Sequence, residues 1–296
     1  RRSVGERAIK GLLAAAALLS ILTTTGIVVT LIVESVNFFE LVSFADFFLD
    51  TDWAPLAGGE QQGFGVVPLV FSTLYLTAIG LVVAIPLGLG VAIYLAEYAP
   101  RRVRSVLKPI VEVLAGIPTI VLGYFALTFL TPELLQGVVG VDVNVFNGLS
   151  AGVALGILVL PTIASVSEDA MSAVPQSLRE GAFGLGAAKW QVVLRVIFPA
   201  ALSGIVAALV LGASRAIGET VVILVAAGNN PNLDFDLTIA HQNMAAFIAN
   251  TARADVAAGS IAYATIFAVG LTLFVMTFAL NSIAIRFVRR YRQVYE

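Results

Sequence analysis

The chain has 296 residues, 59% of them hydrophobic and only 12% charged, with a mean hydropathy of +0.96. Soluble domains carry about 45–50% apolar and about 25% charged residues, so this composition excludes a water-soluble monomer and points to the bilayer as solvent. A net charge of −2 without a basic face excludes nucleic-acid binding; zero cysteines and one histidine, His241, exclude disulfides and clustered metal sites, so neither metal nor cofactor is expected.

In chain order, six apolar stretches approach or exceed the roughly 20 residues that cross about 30 Å of hydrocarbon: 9–33, 66–96, 106–130, 149–167, 200–227 and 259–287. All are rich in Ala, Val, Leu, Ile and Gly at helix length, which predicts an all-α membrane protein of six transmembrane helices and not a barrel of short alternating strands. The sequence begins Arg1-Arg2 instead of Met, so part of the natural N-terminus is expected to be missing. The first stretch is too long for a secretory h-region and lacks a small-residue cleavage site; it is read as a retained span. Gly152 and Gly156, four residues apart in the fourth stretch, are expected to let helix backbones approach closely. Pro86, Pro118 and Pro161 are expected to kink or break the spans that hold them.

The connections differ sharply in sign. Arg1, Arg2, Arg7 and Lys10 precede the first stretch; Arg101, Arg102, Arg104 and Lys108 follow the second; Arg179, Lys189 and Arg195 follow the fourth; Arg286, Arg289, Arg290 and Arg292 close the chain. The alternate connections carry Arg253 among acids such as Asp46, Asp50, Asp52, Glu133, Asp142, Asp234 and Asp236. Positive charge marks the cytoplasmic side, so both termini are predicted to be cytoplasmic.

The remaining cation, Arg215, stands inside the fifth apolar stretch, in Gly212-Ala-Ser-Arg-Ala-Ile-Gly-Glu-Thr220. A helix starting near Ala201 would place it about 21 Å along, near mid-membrane. Such an arginine costs at least ~2.5–3.5 kcal/mol and must face protein or water with a partner. On a continuous helix Glu219, four residues on, shares its face and can reach the guanidinium. One reading is a structural ion pair; the other is a substrate contact in a polar pathway. A guanidinium fork matches an oxyanion bidentately. A neighbouring carboxylate would repel a fully ionised anion but accept a hydrogen bond from one that keeps a proton, which modestly favours phosphate over other oxyanions such as sulfate. Arg215 and Glu219, with Thr220 beside them and the Thr119 hydroxyl of Gly116-Ile-Pro-Thr119, are the candidate substrate-binding residues.

The connection 171–199 is long, less apolar than its neighbours, and broken by Gly184 and Gly186. It resembles the cytoplasmic coupling motif of ATP-binding-cassette importer permeases: Glu180, Ala182, Gly186 and Pro199 stand in register, while Gly181, Val196 and Phe198 replace the usual Ala, Ile and Leu. Together with Glu97-Tyr-Ala-Pro-Arg-Arg102, Leu114-Ala-Gly-Ile-Pro-Thr119 and the Arg215 segment, nearly the whole chain resembles the phosphate-specific transport permeases, most closely the PstC-type subunit. The resemblance implies a type I importer (MetI-like) permease fold in a prokaryotic plasma membrane, transport and not catalysis by this chain, and Arg215 and Glu219 on the phosphate path. It also implies a PstA-like second permease, PstB-like ATPases docked at Glu180–Pro199, and a PstS-like extracytoplasmic phosphate-binding protein. On this reading residues 1–64 form a tail, first span and outer loop, and residues 65–290 the permease core.

Other patterns compete less well. Gly148-Leu-Ser-Ala-Gly152 fits the Gly-x-Ser-x-Gly nucleophile pattern with His241 on the same side, but its flanks read as a helix start and not a strand-to-helix elbow. Glu112 is expected to pair with Lys108, and Glu168 and Asp169 to be solvated at the cytoplasmic mouth. No Gly-x-x-x-x-Gly-Lys-Ser/Thr loop occurs, so ATP would have to be hydrolysed by another subunit. Rival readings are a permease for molybdate or sulfate and a gradient-driven secondary transporter using Arg215 and Glu219 as a proton relay.

Overall fold

A computed structural model describes residues 2–57 and 59–291. Arg1 and Arg292, counted in the charged tails, lie outside the described residues. The chain runs through α1 (Arg2–Phe39), α2 (Phe44–Leu49), α3 (Val67–Tyr98), α4 (Arg101–Leu114), α5 (Thr119–Val139), α6 (Gly148–Ser172) and α7 (Gln176–Gly184). It continues through α8 (Lys189–Ala200), α9 (Leu202–Ile217), α10 (Val221–Ala226), α11 (Met244–Arg253) and α12 (Ile261–Tyr291). Five of these, α1, α3, α5, α6 and α12, contain segments long and apolar enough to span a membrane; α8 and α9 make a sixth crossing if their 72° bend is taken as one broken span.

Two predicted spans are divided differently in the structure. The stretch 106–130 splits at residues 115–118 into α4, which is strongly amphipathic, and α5, which carries the crossing over Thr119–Val139. Proline explains the split: Pro118 has no N–H to donate and pushes Ile117 out of helical geometry, so it serves as the cap of a new helix. Pro86 and Pro161, by contrast, are carried inside α3 and α6 without ending them. The stretch 200–227 is broken again at Gly218, which separates α9 from the short α10.

The centre is the pairing of α3 with α6 along their lengths. A Cβ built on Gly156 would lie 2.8 Å from the Gly80 carbonyl oxygen, closer than real contacts allow, so glycine is required for this backbone approach. Around it Leu76, Leu155, Leu158, Ile163, Val222 and Ile223 form the main core. One end of the bundle is closed by an aromatic cluster of Phe38, Phe47, Trp53 and Phe247. At the other, basic end, Met171, Val192, Ile197 and Ile205 hold α8 and α9 against α6.

Candidate functional site

Arg215 lies in the last turn of α9, half-buried. Its Nη1 donates to Thr162 Oγ1 of α6 at 3.1 Å. Among the described residues no carboxylate oxygen comes within 4.0 Å of it; the ion pairs that do form involve Lys10, Arg104, Lys108 and Arg179. The expected Arg215–Glu219 pair is therefore absent. Its premise, a continuous helix, fails at Gly218, after which Glu219 is no longer four residues along the same cylinder.

Glu219 is instead 8% exposed and ties three elements together. Its Oε1 accepts the N–H groups of Val221 (3.0 Å) and Val222 (3.2 Å), closing the first turn of α10. Its carbonyl accepts from Asn243 Nδ2 at 2.9 Å, while Asn243 Oδ1 caps α11 by accepting from Ala246 N at 2.8 Å. The next amide, Met244 N, donates to Thr73 Oγ1 of α3 at 3.0 Å. Thr220 donates to the Gly218 carbonyl at 3.3 Å, and Thr119 opens α5, half-buried, one turn before Gly123, whose face meets Val221 and Val225 of α10. The structure thus joins Arg215 to Thr162, which sequence reasoning missed; the only available signal was a hydroxyl beside Pro161 in an apolar run.

At the basic end the coupling-like segment is a helix–turn–helix. Glu180 and Gly181 are exposed on α7, Ala182 packs against the cluster beneath, and Pro199 lies in α8. Gly186 makes the turn at φ +81°, a left-handed conformation that a side chain would strain. Phe183, Leu185, Trp190 and Leu194 project outward, Leu185 with 91% of its surface open.

Two expectations about charge need correction. Glu168 is fully buried, not solvated: Arg104 and Lys108 of α4 reach it from 64 and 60 residues away in sequence, Lys108 Nζ at 2.6 Å from Oε2, and Ser172 donates to Oε1 at 2.9 Å. Lys108 also donates to Asp169 at 2.7 Å, so it does not pair with Glu112, which has no basic partner within 4.0 Å among the described residues. The Asp169 bond first, and Glu168 second, hold the Lys108 ammonium above the usual lysine range. These partners come from α6, far away in sequence, where local spacing cannot reveal them.

The nucleophile pattern dissolves. Ser150 sits in the first turn of α6, its N–H bound by the Asn147 cap at 2.8 Å and its hydroxyl without a partner. His241 Nε2 is engaged with the Asp236 carbonyl at 2.9 Å, and its ring does not hydrogen-bond Ser150.

Comparisons with known proteins agree in kind. Residues 84–293 match the family described as binding-protein-dependent transport system inner membrane component. A probable ABC transporter permease protein, YqgH of Bacillus subtilis, is 35% identical, covering 95% of this chain and 89% of its own. The phosphate transport system permease protein PstC of Mesorhizobium japonicum is 33% identical over 91% of this chain and 86% of its own, and that of Haemophilus influenzae 34% over 88% and 86%. Among solved structures, a chain of a bacterial alginate ABC transporter bound to its periplasmic protein superposes with a TM-score of 0.68, covering 96% of both chains at 17% identity. The inward-facing MetNI methionine ABC transporter gives 0.57 at 22% identity, over 77% of this chain and 95% of that one.

Proposed function

The chain belongs to the binding-protein-dependent transport system inner membrane components and, among them, to the PstC-type permeases, and we propose that it forms half of an ATP-driven pathway for inorganic phosphate in which Arg215 meets the anion. The observation that carries this reading is a guanidinium with no carboxylate within 4.0 Å among the described residues: Arg215 sits in the span region with the neutral Thr162 hydroxyl as its side-chain partner there. A half-buried charge in an apolar span is stabilised by a counter-charge, and a hydroxyl supplies none. A passing oxyanion supplies it, and the planar fork holds two of its oxygens.

Glu219 supports phosphate in particular. Its Oε1 is occupied by the N–H groups of Val221 and Val222, which leaves Oε2 to accept a hydrogen bond from a protonated oxygen of the anion. Phosphate carries such a proton near neutral pH and sulfate does not, so Glu219 passes the first and repels the second. Thr220 and Thr119 offer hydroxyls along the same route. The gradient-driven alternative needed an Arg215–Glu219 relay, and those side chains are not paired.

In this reading the basic end is cytoplasmic, with both termini there, and Glu180, Gly181, Ala182, Gly186 and Pro199 seat the α7–α8 segment on a separate PstB-like ATPase. A PstA-like permease supplies the other half of the path and a PstS-like protein delivers the anion from outside. The test is uptake of radiolabelled phosphate by the reconstituted complex, with arsenate and sulfate as competitors. Arsenate should compete and sulfate should not. Uptake that persists without the ATPase and collapses with an uncoupler, or equal competition by sulfate, would overturn the proposal.

A further inference from the structure

The Glu97-Tyr98 pair at the end of α3 holds both halves of the coupling segment. Glu97 Oε1 accepts from Arg179 Nη2 at 2.9 Å and from Nε at 3.3 Å, and the two side chains are only 10% and 12% exposed. Arg179 directly precedes Glu180 in α7. The same guanidinium donates to the Met171 carbonyl at 2.8 Å and to that of Val174, so one side chain binds α7 to α3 and to the end of α6. On the far side of the Gly186 turn, Lys189 Nζ stands 4.8 Å from the centre of the Tyr98 ring, clasping the start of α8 to the next residue of α3. None of the residues of α7 is fully buried; Leu178 and Ala182 rest on the cluster beneath, and these polar contacts supply the rest of its attachment to α3 and α6.

We propose that Glu97 and Arg179 form the positioning link through which displacement of the coupling segment is passed to α3 and α6, with Tyr98 and Lys189 as its second strand. The inference rests on the reading of α7–α8 as the ATPase seat. A short helix pushed at Gly181–Gly186 moves the bundle only if something stiff joins them, and a guanidinium with four hydrogen bonds to two elements is stiff where an apolar contact would slide. The load reaches α6, and α6 carries Thr162, the hydrogen-bond partner of Arg215. The link therefore runs from the ATPase seat to the anion contact without a gap.

The test uses the complete complex in vesicles and counts ATP hydrolysed per phosphate transported. Glu97→Gln keeps the carbonyl bonds of Arg179 and removes the charge pairing; Arg179→Lys keeps the charge and removes the fork. In both, the assembled complex should hydrolyse ATP within about twofold of the parent while transport falls about tenfold, raising the ratio about tenfold. Tyr98→Leu should raise it by a smaller factor, about threefold. An unchanged ratio, whether both rates fall together or neither does, overturns the inference, as does failure of both variants to assemble, which would make the pair a folding element. If the parent complex itself shows no phosphate-dependent ATP turnover, it is the functional reading that fails and not the link.

Discussion

At the basic end, Lys108 meets carboxylates at 2.6 and 2.7 Å and Arg179 meets one at 2.9 Å, while Arg104 shares the same buried Glu168. In the middle of the bundle, Arg215 meets no carboxylate within that range among the described residues and rests on one hydroxyl at 3.1 Å. Both regions contain partly buried cations, so burial alone does not distinguish architecture from transport. The presence of a fixed counter-charge does. A cation whose anion is covalently part of the protein is a fastening; one without a fixed carboxylate nearby is, in the proposed function, the contact for a mobile anion.

That contrast is sharpest at Arg215. Arg215→Ala should reduce phosphate uptake by on the order of 100-fold or more, the scale of removing one partner from a desolvated charge contact, while membrane insertion and assembly stay at parental levels. Arg215→Lys should recover little of this, because a point charge lacks the fork. Full uptake by the alanine variant would mean that the charge is ornamental. The opposite signature is expected at the fastening. Glu168→Ala leaves Arg104 without a carboxylate and Lys108 with Asp169 alone and should destabilise the protein by about 2 kcal/mol, read as a lower unfolding temperature in detergent. Solute selectivity should not change. A selectivity change in that variant would erase the distinction between the two regions.

Smaller effects refine it. Gly186→Ala must hold a side chain at φ +81°, costing about 1–2 kcal/mol locally, and should loosen ATPase co-purification without altering delivery of phosphate by the binding protein. Thr162→Val removes a single hydrogen bond from Arg215 and should weaken transport about fivefold, the equivalent of about 1 kcal/mol. If Thr162→Val equals Arg215→Ala, the hydroxyl and not the guanidinium is the principal anion contact.

The apolar stretches, the sign of each connection and the register of Glu180, Ala182, Gly186 and Pro199 were all legible in the sequence because each is local or periodic. Arg215 was legible because a lone charge in an apolar run has no cheap explanation. What sequence could not show was where each charge ends. Glu219 was assigned to the wrong partner because one glycine, Gly218, stops the helix that would have carried it round. Glu168 was read as solvated because its two cations lie more than fifty residues upstream on α4. Pro118 separates α4 from the crossing that follows it, where spacing saw one apolar run, and the charged face of α4 is committed to α6.

The glycine contact between α3 and α6 has a mechanical consequence. With the Gly80 carbonyl lying directly against Gly156, and Ile79 and Val83 filled in around Gly152 and Gly156, the two helices are locked too tightly to slide, and they behave as a single beam. In the proposed transport cycle, bending would then concentrate at breaks outside the beam, such as the 72° bend between α8 and α9 and the break at Gly218. Those joints flank α9, so in the proposed transport cycle a bend at either would shift Arg215 relative to a beam that carries Thr162.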